Sequence, residues 1–141
     1  MSGSNFIGGA RSAAGSVRLQ SFDARTGEAL PPVFTQATPD EVDAAARAAE
    51  QAFVEYNGLA PARRAQFLDA IAEQLDALDE AFIDTVCRET ALPAARIQGE
   101  RSRTSNQLRL FAQVLRRGDY LGARIDRAQP QRQPLPRPDL R

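Results

Sequence analysis

The side chains able to do chemistry in this chain are few and scattered: one thiol at Cys87, three neighbouring carboxylates at Asp76, Asp79 and Glu80, and a run of guanidinium groups at Arg96, Arg101, Arg103, Arg109, Arg116 and Arg117. There is no histidine, and all eighteen basic residues are arginine. A cysteine becomes a nucleophile when a histidinium, a metal or a helix N-terminus stabilises its thiolate. Cys87 sits in Asp84-Thr85-Val86-Cys87-Arg88-Glu89, at helical spacing from Ile83 and toward the end of its helix, where the dipole disfavours negative charge. It reads as a small apolar side chain on a core-facing helix surface. The absence of lysine removes amine nucleophiles and Schiff-base chemistry.

The carboxylates are explained as solvated helix charges more simply than as a hard-cation site, and zinc sites are built from histidine and clustered cysteine. No metal site is expected. Gly8-Gly9 and the Gly118 to Gly122 stretch match neither a dinucleotide fingerprint nor a phosphate loop, so no cofactor site is named in this chain. The arginine run could face phosphates, but Glu100 and Asp119 dilute it and stacking aromatics are nearly absent beside it. Ion pairing between subunits or domains is the favoured reading, with nucleic-acid contact a weaker option. No catalytic, cofactor-binding or metal-binding residue is assigned.

Composition limits what the elements can do. The chain has 141 residues, the size of one domain, with eighteen acids balancing eighteen bases. That balance gives no overall pull toward nucleic acid or anionic membranes. Of the hydrophobic 43 %, 25 residues are alanine and only 31 are leucine, isoleucine, valine or phenylalanine, so the helices gain more from propensity than from burial. The apolar stripes are expected to need a partner surface beyond this segment. One cysteine cannot form an internal disulfide, the N-terminus lacks a signal-peptide pattern, and no stretch approaches the roughly 20 apolar residues that span a bilayer. A cytoplasmic location without membrane contact is expected.

The fold class expected is mainly α, with an N-terminal hairpin or ribbon, about four amphipathic helices and a C-terminal extended strand. Phe6-Ile7-Gly8-Gly9 and Val17 to Phe22 are the strand candidates, taken together as a hairpin or edge ribbon, and Asp23 to Glu28 reads as a turn. Thr38-Pro39-Asp40-Glu41 carries a capping box and a first-turn proline, opening a helix whose apolar residues Val42, Ala45, Ala46, Ala49, Phe53 and Tyr56 run to the stop at Asn57-Gly58. Pro61 opens a second helix, with Phe67, Leu68, Ile71, Leu75 and Leu78 as its buried face. The pattern breaks near Leu78-Asp79 and resumes through Phe82, Ile83, Val86 and Cys87. Leu92-Pro93 opens the last helix, carrying Ile97, Leu108, Phe111, Ala112 and Leu115 to the stop at Arg116-Arg117-Gly118. Tyr120 to Ile125 is a strand candidate, and the four prolines after Ala128 favour polyproline or edge-strand geometry in a tail that forms no compact unit alone.

Several of these segments, in this order, resemble the N-terminal portion of the aldehyde dehydrogenase superfamily. They are Phe6-Ile7-Gly8-Gly9, Arg25-Thr26-Gly27-Glu28, Thr38 to Ala45, Glu89-Thr90-Ala91-Leu92-Pro93, Gln107 to Ala112 and Arg132 to Arg141. In the fourth, relatives often have glycine where Ala91 stands. The set is most similar to the NADP-linked branch that includes α-ketoglutaric semialdehyde (2,5-dioxopentanoate) and bacterial fatty aldehyde dehydrogenases. The resemblance implies an incomplete part of an α/β fold that wraps the cofactor domain and then enters bridging strands used in oligomerisation. It also implies that the catalytic cysteine, the general-base glutamate and the oxyanion asparagine lie later in the parent chain, where cysteine attack, hydride transfer to NADP⁺ and thioester hydrolysis take place.

Three parts of one partial domain are expected: an extended segment over 1–37, a helical region over 38–118, and a bridging strand with Pro-rich tail over 119–141. The tail from Gln133 reads as a lead into more chain, and the 141 residues as a truncated or proteolysed scaffold piece, inactive alone. Its expected partners are the rest of the dehydrogenase or a second copy, met through the helix faces, with NADP belonging to the parent protein. The alternative is a small interaction module that binds itself or a larger dehydrogenase chain.

Overall fold

The computed structural model describes residues 3–124 and 126–138. Gly8 and Gly9 both take positive φ, 57° and 83°, the pair of conformations that a two-residue hairpin turn demands. They join β1 (Asn5–Ile7) to β2 (Ala10–Ser12), antiparallel, with Phe6 opposite Arg11. The candidate strand Phe6–Gly9 is therefore part strand and part turn. Its partner follows at once, so the two expected strands do not pair with each other.

The second candidate, β3 (Arg18–Phe22), pairs antiparallel with β4 (Ala29–Thr35). Their connection is the expected turn: the Asp23 carboxylate accepts from the backbone N–H groups of Arg25 and Thr26 at 3.0 and 3.3 Å, and Gly27 takes φ 75°. β4 escapes a sequence reading because it contains Pro31-Pro32. The register jumps from Leu19 opposite Phe34 to Ser21 opposite Leu30, which leaves both prolines in a bulge facing Gln20, where the ladder needs no donor.

Helix α1 (Pro39–Gly58) opens on the full capping box between Thr38 and Glu41. Helix α2 (Pro61–Asp76) starts at its proline, α3 (Glu80–Thr90) is capped by the Asp79 carboxylate on the Phe82 N–H at 3.2 Å, and α4 (Ala94–Arg117) ends at Gly118 with φ 72°. All four boundaries fall where the caps and prolines put them. Ala91 closes α3 in the left-handed region at φ 59°, a conformation that normally calls for glycine.

The core is narrower than the periodicity suggests. Helices α2 and α4 run antiparallel, as the ion pairs Asp69–Arg116 and Asp76–Arg109 require. Between them Ala65, Ala72 and Ala112 are fully buried and Ser105 nearly so, at a seven-residue repeat on each helix. Small side chains let two backbones approach closely, and the larger residues are then pushed to the flanks. Phe67 and Phe111, expected in the core, are about half exposed, while Ile83 and Ile97 are buried under α3 and α4. Along α1 the expected stripe lies largely open, with Val42 and Phe53 more than half exposed and neighbouring Val54 likewise, while Tyr56 meets Phe67 of α2 edge-on at 5.7 Å between ring centroids.

Beyond α4 the structure departs from the expected strand at 120–125. Asp119–Leu121 is a 3₁₀ turn bracketed by Gly118 and Gly122, both at positive φ, which curls the backbone out of extended geometry; Ile125 lies outside the described residues. Gln129 and Arg137 exchange two backbone hydrogen bonds at 2.8 and 3.1 Å and close a small loop around the prolines.

Candidate functional site

Cys87 lies in the last turns of α3, where its carbonyl accepts the Ala91 N–H at 2.9 Å. Its half-buried side chain lines an open groove of about 390 Å³ with Arg25, Glu80, Asp84 and Pro93. The same lining holds the Arg25 side chain and the start of α4 at Pro93 and Ala94, and a chain without histidine brings no imidazole to it. The three carboxylates are separated by role. Asp76 pairs with Arg109 at 2.6 Å, which holds its carboxyl below the usual range, Asp79 caps α3, and Glu80 stands in the first turn. Among the described residues, no group of three or more acidic or cysteine side chains is placed to hold a metal ion.

Every member of the arginine run has a partner within this chain. Arg96 and Arg103 flank Glu100 at 2.6 and 2.9 Å, Arg103 doing most to lower its carboxyl; Arg116 meets Asp69 and Arg117 meets Asp119. Arg101 donates to the Leu78 carbonyl that ends the α2–α3 connection. These pairs tie α4 to α2, to the α2–α3 connection and to itself.

Two polar clusters were not read from the sequence. The Asp23–Glu28 turn docks on the C-terminus of α3, with the Ala24 N–H on the Arg88 carbonyl at 2.8 Å, the Arg25 guanidinium on the Ala91 carbonyl at 3.3 Å, and Arg88 paired to Asp23 at 3.2 Å. The Arg25 backbone N–H and Arg88 together lower the Asp23 carboxyl. In the second, Glu41 is 7 % exposed and accepts from the Thr38 N–H at 2.8 Å, the Ala14 N–H at 3.2 Å and the Ser12 hydroxyl. These donors, Ser12 foremost, drop its carboxyl from 4.5 to about 2. The capping signature foretold half of Glu41's role; only the folded chain brings Ser12 and Ala14 to its other oxygen.

What remains is surface. Leu75, Phe82, Val86, Leu92 and Ile97 line an apolar groove of about 400 Å³ between α2, α3 and α4, and Leu68, Leu108, Phe111, Val114 and Tyr120 line another of about 360 Å³. The α1 stripe adds Val42, Phe53 and Val54, each more than half exposed.

A profile of the aldehyde dehydrogenase family matches residues 12–135. The chain belongs to that family. It is 50 % identical over 139 residues, 99 % of its length, to an α-ketoglutaric semialdehyde dehydrogenase of Acinetobacter baylyi strain ATCC 33305 / BD413 / ADP1. A second such enzyme, α-ketoglutaric semialdehyde dehydrogenase 2 of Azospirillum brasilense, is 50 % identical over 135 residues, 94 % of this chain. The chain spans only 26 % of the length of each. A solved NAD-dependent benzaldehyde dehydrogenase from Corynebacterium glutamicum superposes with a TM-score of 0.74 over 94 % of this chain and 28 % of that one, at 20 % identity. That likeness carries the fold: four helices and two small antiparallel ribbons as part of an aldehyde dehydrogenase. Among the described residues no helix is long and apolar enough to cross a membrane.

Proposed function

We propose that these 141 residues are the N-terminal scaffold of an NADP-linked dehydrogenase of the α-ketoglutaric semialdehyde type. The parent protein oxidises the aldehyde to a carboxylate: water supplies the second oxygen, hydride passes to NADP⁺ and protons are released. The 50 % identity over nearly the whole chain carries this reading. The scaffold by itself is inactive, because the family's catalytic residues belong to the larger part of the relatives that this chain does not span, and its open helix faces serve to meet the rest of a cytoplasmic dehydrogenase or a second copy. Residues 1–37, 38–118 and 119–141 act as ribbon, helical platform and bridging tail of one partial domain.

The test compares the 141-residue chain with a polypeptide extended to the relatives' length, each assayed for NADP⁺ and NAD⁺ reduction with 2,5-dioxopentanoate. The expected result is no turnover for the short chain and NADP⁺-preferring turnover for the long one. Turnover by the short chain, or an extended enzyme that ignores this substrate, overturns the proposal. The exposed apolar grooves also favour a second reading, an interaction module that binds itself or a separate dehydrogenase chain. Native mass spectrometry separates the two, since a module holds a larger partner noncovalently while a scaffold piece gives 15.4 kDa subunits alone or self-associated.

A further inference from the structure

We infer that Glu41 is a latch: its single carboxylate holds the N-terminal ribbon on α1, and the ribbon opens as a unit independently of the α2–α4 pair. One oxygen of Glu41 completes the α1 cap by accepting the Thr38 N–H, and the other accepts from Ser12, the last residue of β2, and from Ala14 just beyond it. The same side chain therefore serves helix and ribbon at once.

Beyond Glu41 the ribbon meets α1 along β1, where Asn5 and Ile7 are half-buried. Its turn rests on alanine, with the site of a Gly8 side chain only 3.6 Å from the Ala48 methyl, and Phe6 points outward under Arg11 at 5.2 Å. Alanine contacts bury little apolar area. At the other end the Thr35 N–H donates to the Gly3 carbonyl at 3.0 Å, and Gly3 packs so closely on the Val33 carbonyl that a side chain there would clash. The ribbon is thus pinned at Gly3 and latched at Glu41, with half-buried Asn5 and Ile7 and the Ala48 contact between. Segments with few apolar contacts open at lower free energy than packed cores.

The two duties of Glu41 can be separated by one substitution. In E41Q the remaining side-chain oxygen still accepts from Thr38, as glutamine does in capping boxes, while its amide group faces the Ala14 N–H, donor against donor. The experiment is amide hydrogen exchange on the full chain, following the hydrogen-bonded amides from Asn5 to Ala14 beside those of α1, α2 and α4. In E41Q the ribbon amides are expected to exchange roughly tenfold faster or more, with α2 and α4 unchanged and α1 nearly so. S12A, which keeps the Ala14 and Thr38 bonds, is expected to lie between E41Q and the parent chain. Unchanged ribbon exchange in E41Q overturns the latch. Equal acceleration in α2 and α4, or a ribbon with no protection in the parent chain, overturns it as well.

Discussion

The α2–α4 pair and the N-terminal half solve the same shortage of large apolar residues in opposite ways. In the pair, Ala65, Ala72, Ser105 and Ala112 vanish between two antiparallel helices, so contact comes from close approach of backbones, with aspartate–arginine pairs along the edge. In the N-terminal half, α1 keeps Val42, Phe53 and Val54 open and is joined to its ribbon mainly by the hydrogen bonds of Glu41. Dispersion across a tight seam tolerates no added volume, whereas a polar latch is indifferent to volume and sensitive to protons.

The sharpest way to break the comparison is to add bulk to the seam. Ala72→Leu or Ala112→Leu has no room to repack and is expected to cost about 1–3 kcal/mol. The thermal midpoint should fall by roughly 3–10 °C. A comparable enlargement on the α1 face, Ala49→Leu, should leave the midpoint almost unmoved; a large drop there would mean that α1 is packed as tightly as the seam.

Acid should act on the other half. The Glu41 carboxyl is lowered from 4.5 to about 2, so its stabilisation is fully present above pH 4.5 and is lost as pH falls toward 2. Ribbon protection in hydrogen exchange should decline across that window, while the E41Q variant, with no carboxyl to protonate, shows a flatter response. A parallel slope in both proteins would assign the acid sensitivity elsewhere, to Asp23, Asp76 or Glu100, whose carboxyls are also lowered.

Ala91→Gly tests the junction between the regions. An L-residue at φ 59° costs about 1–2 kcal/mol, and glycine's freedom in the unfolded chain offsets part of that. A net gain of about 0.5–1 kcal/mol is expected in denaturant unfolding. The smallest effect belongs to Arg109→Ala. Its exposed pair with Asp76 should shift the midpoint by about a degree or less, and a larger loss would show that the edge pairs share the work of the alanine seam.

Local signals were read well where they act locally. The Thr38–Glu41 capping box, Pro61, Asp79, and the Arg116-Arg117-Gly118 stop place all four helices, because caps and prolines act within one turn of themselves. Strand β4 was missed because a ribbon can hide Pro31-Pro32 in a bulge opposite Gln20, a choice made by the partner strand. The 120–125 strand was over-read because the apolar run hid the two positive-φ glycines that curl it.

Which face of each helix is buried was decided by the fold. Periodicity marks Phe67, Leu68, Phe111 and Leu115 as readily as Ala65 and Ala112, and nothing in a single chain says that two helices will meet on their smallest residues. Likewise the sequence places Glu41 at a helix start, but only folding brings Ser12 and Ala14, 29 and 27 residues away, to its free oxygen. Helix ends and turns follow from covalent neighbours and residue types. Seams and latches arise from distant contacts, whose free energy exists only once the chain is closed on itself.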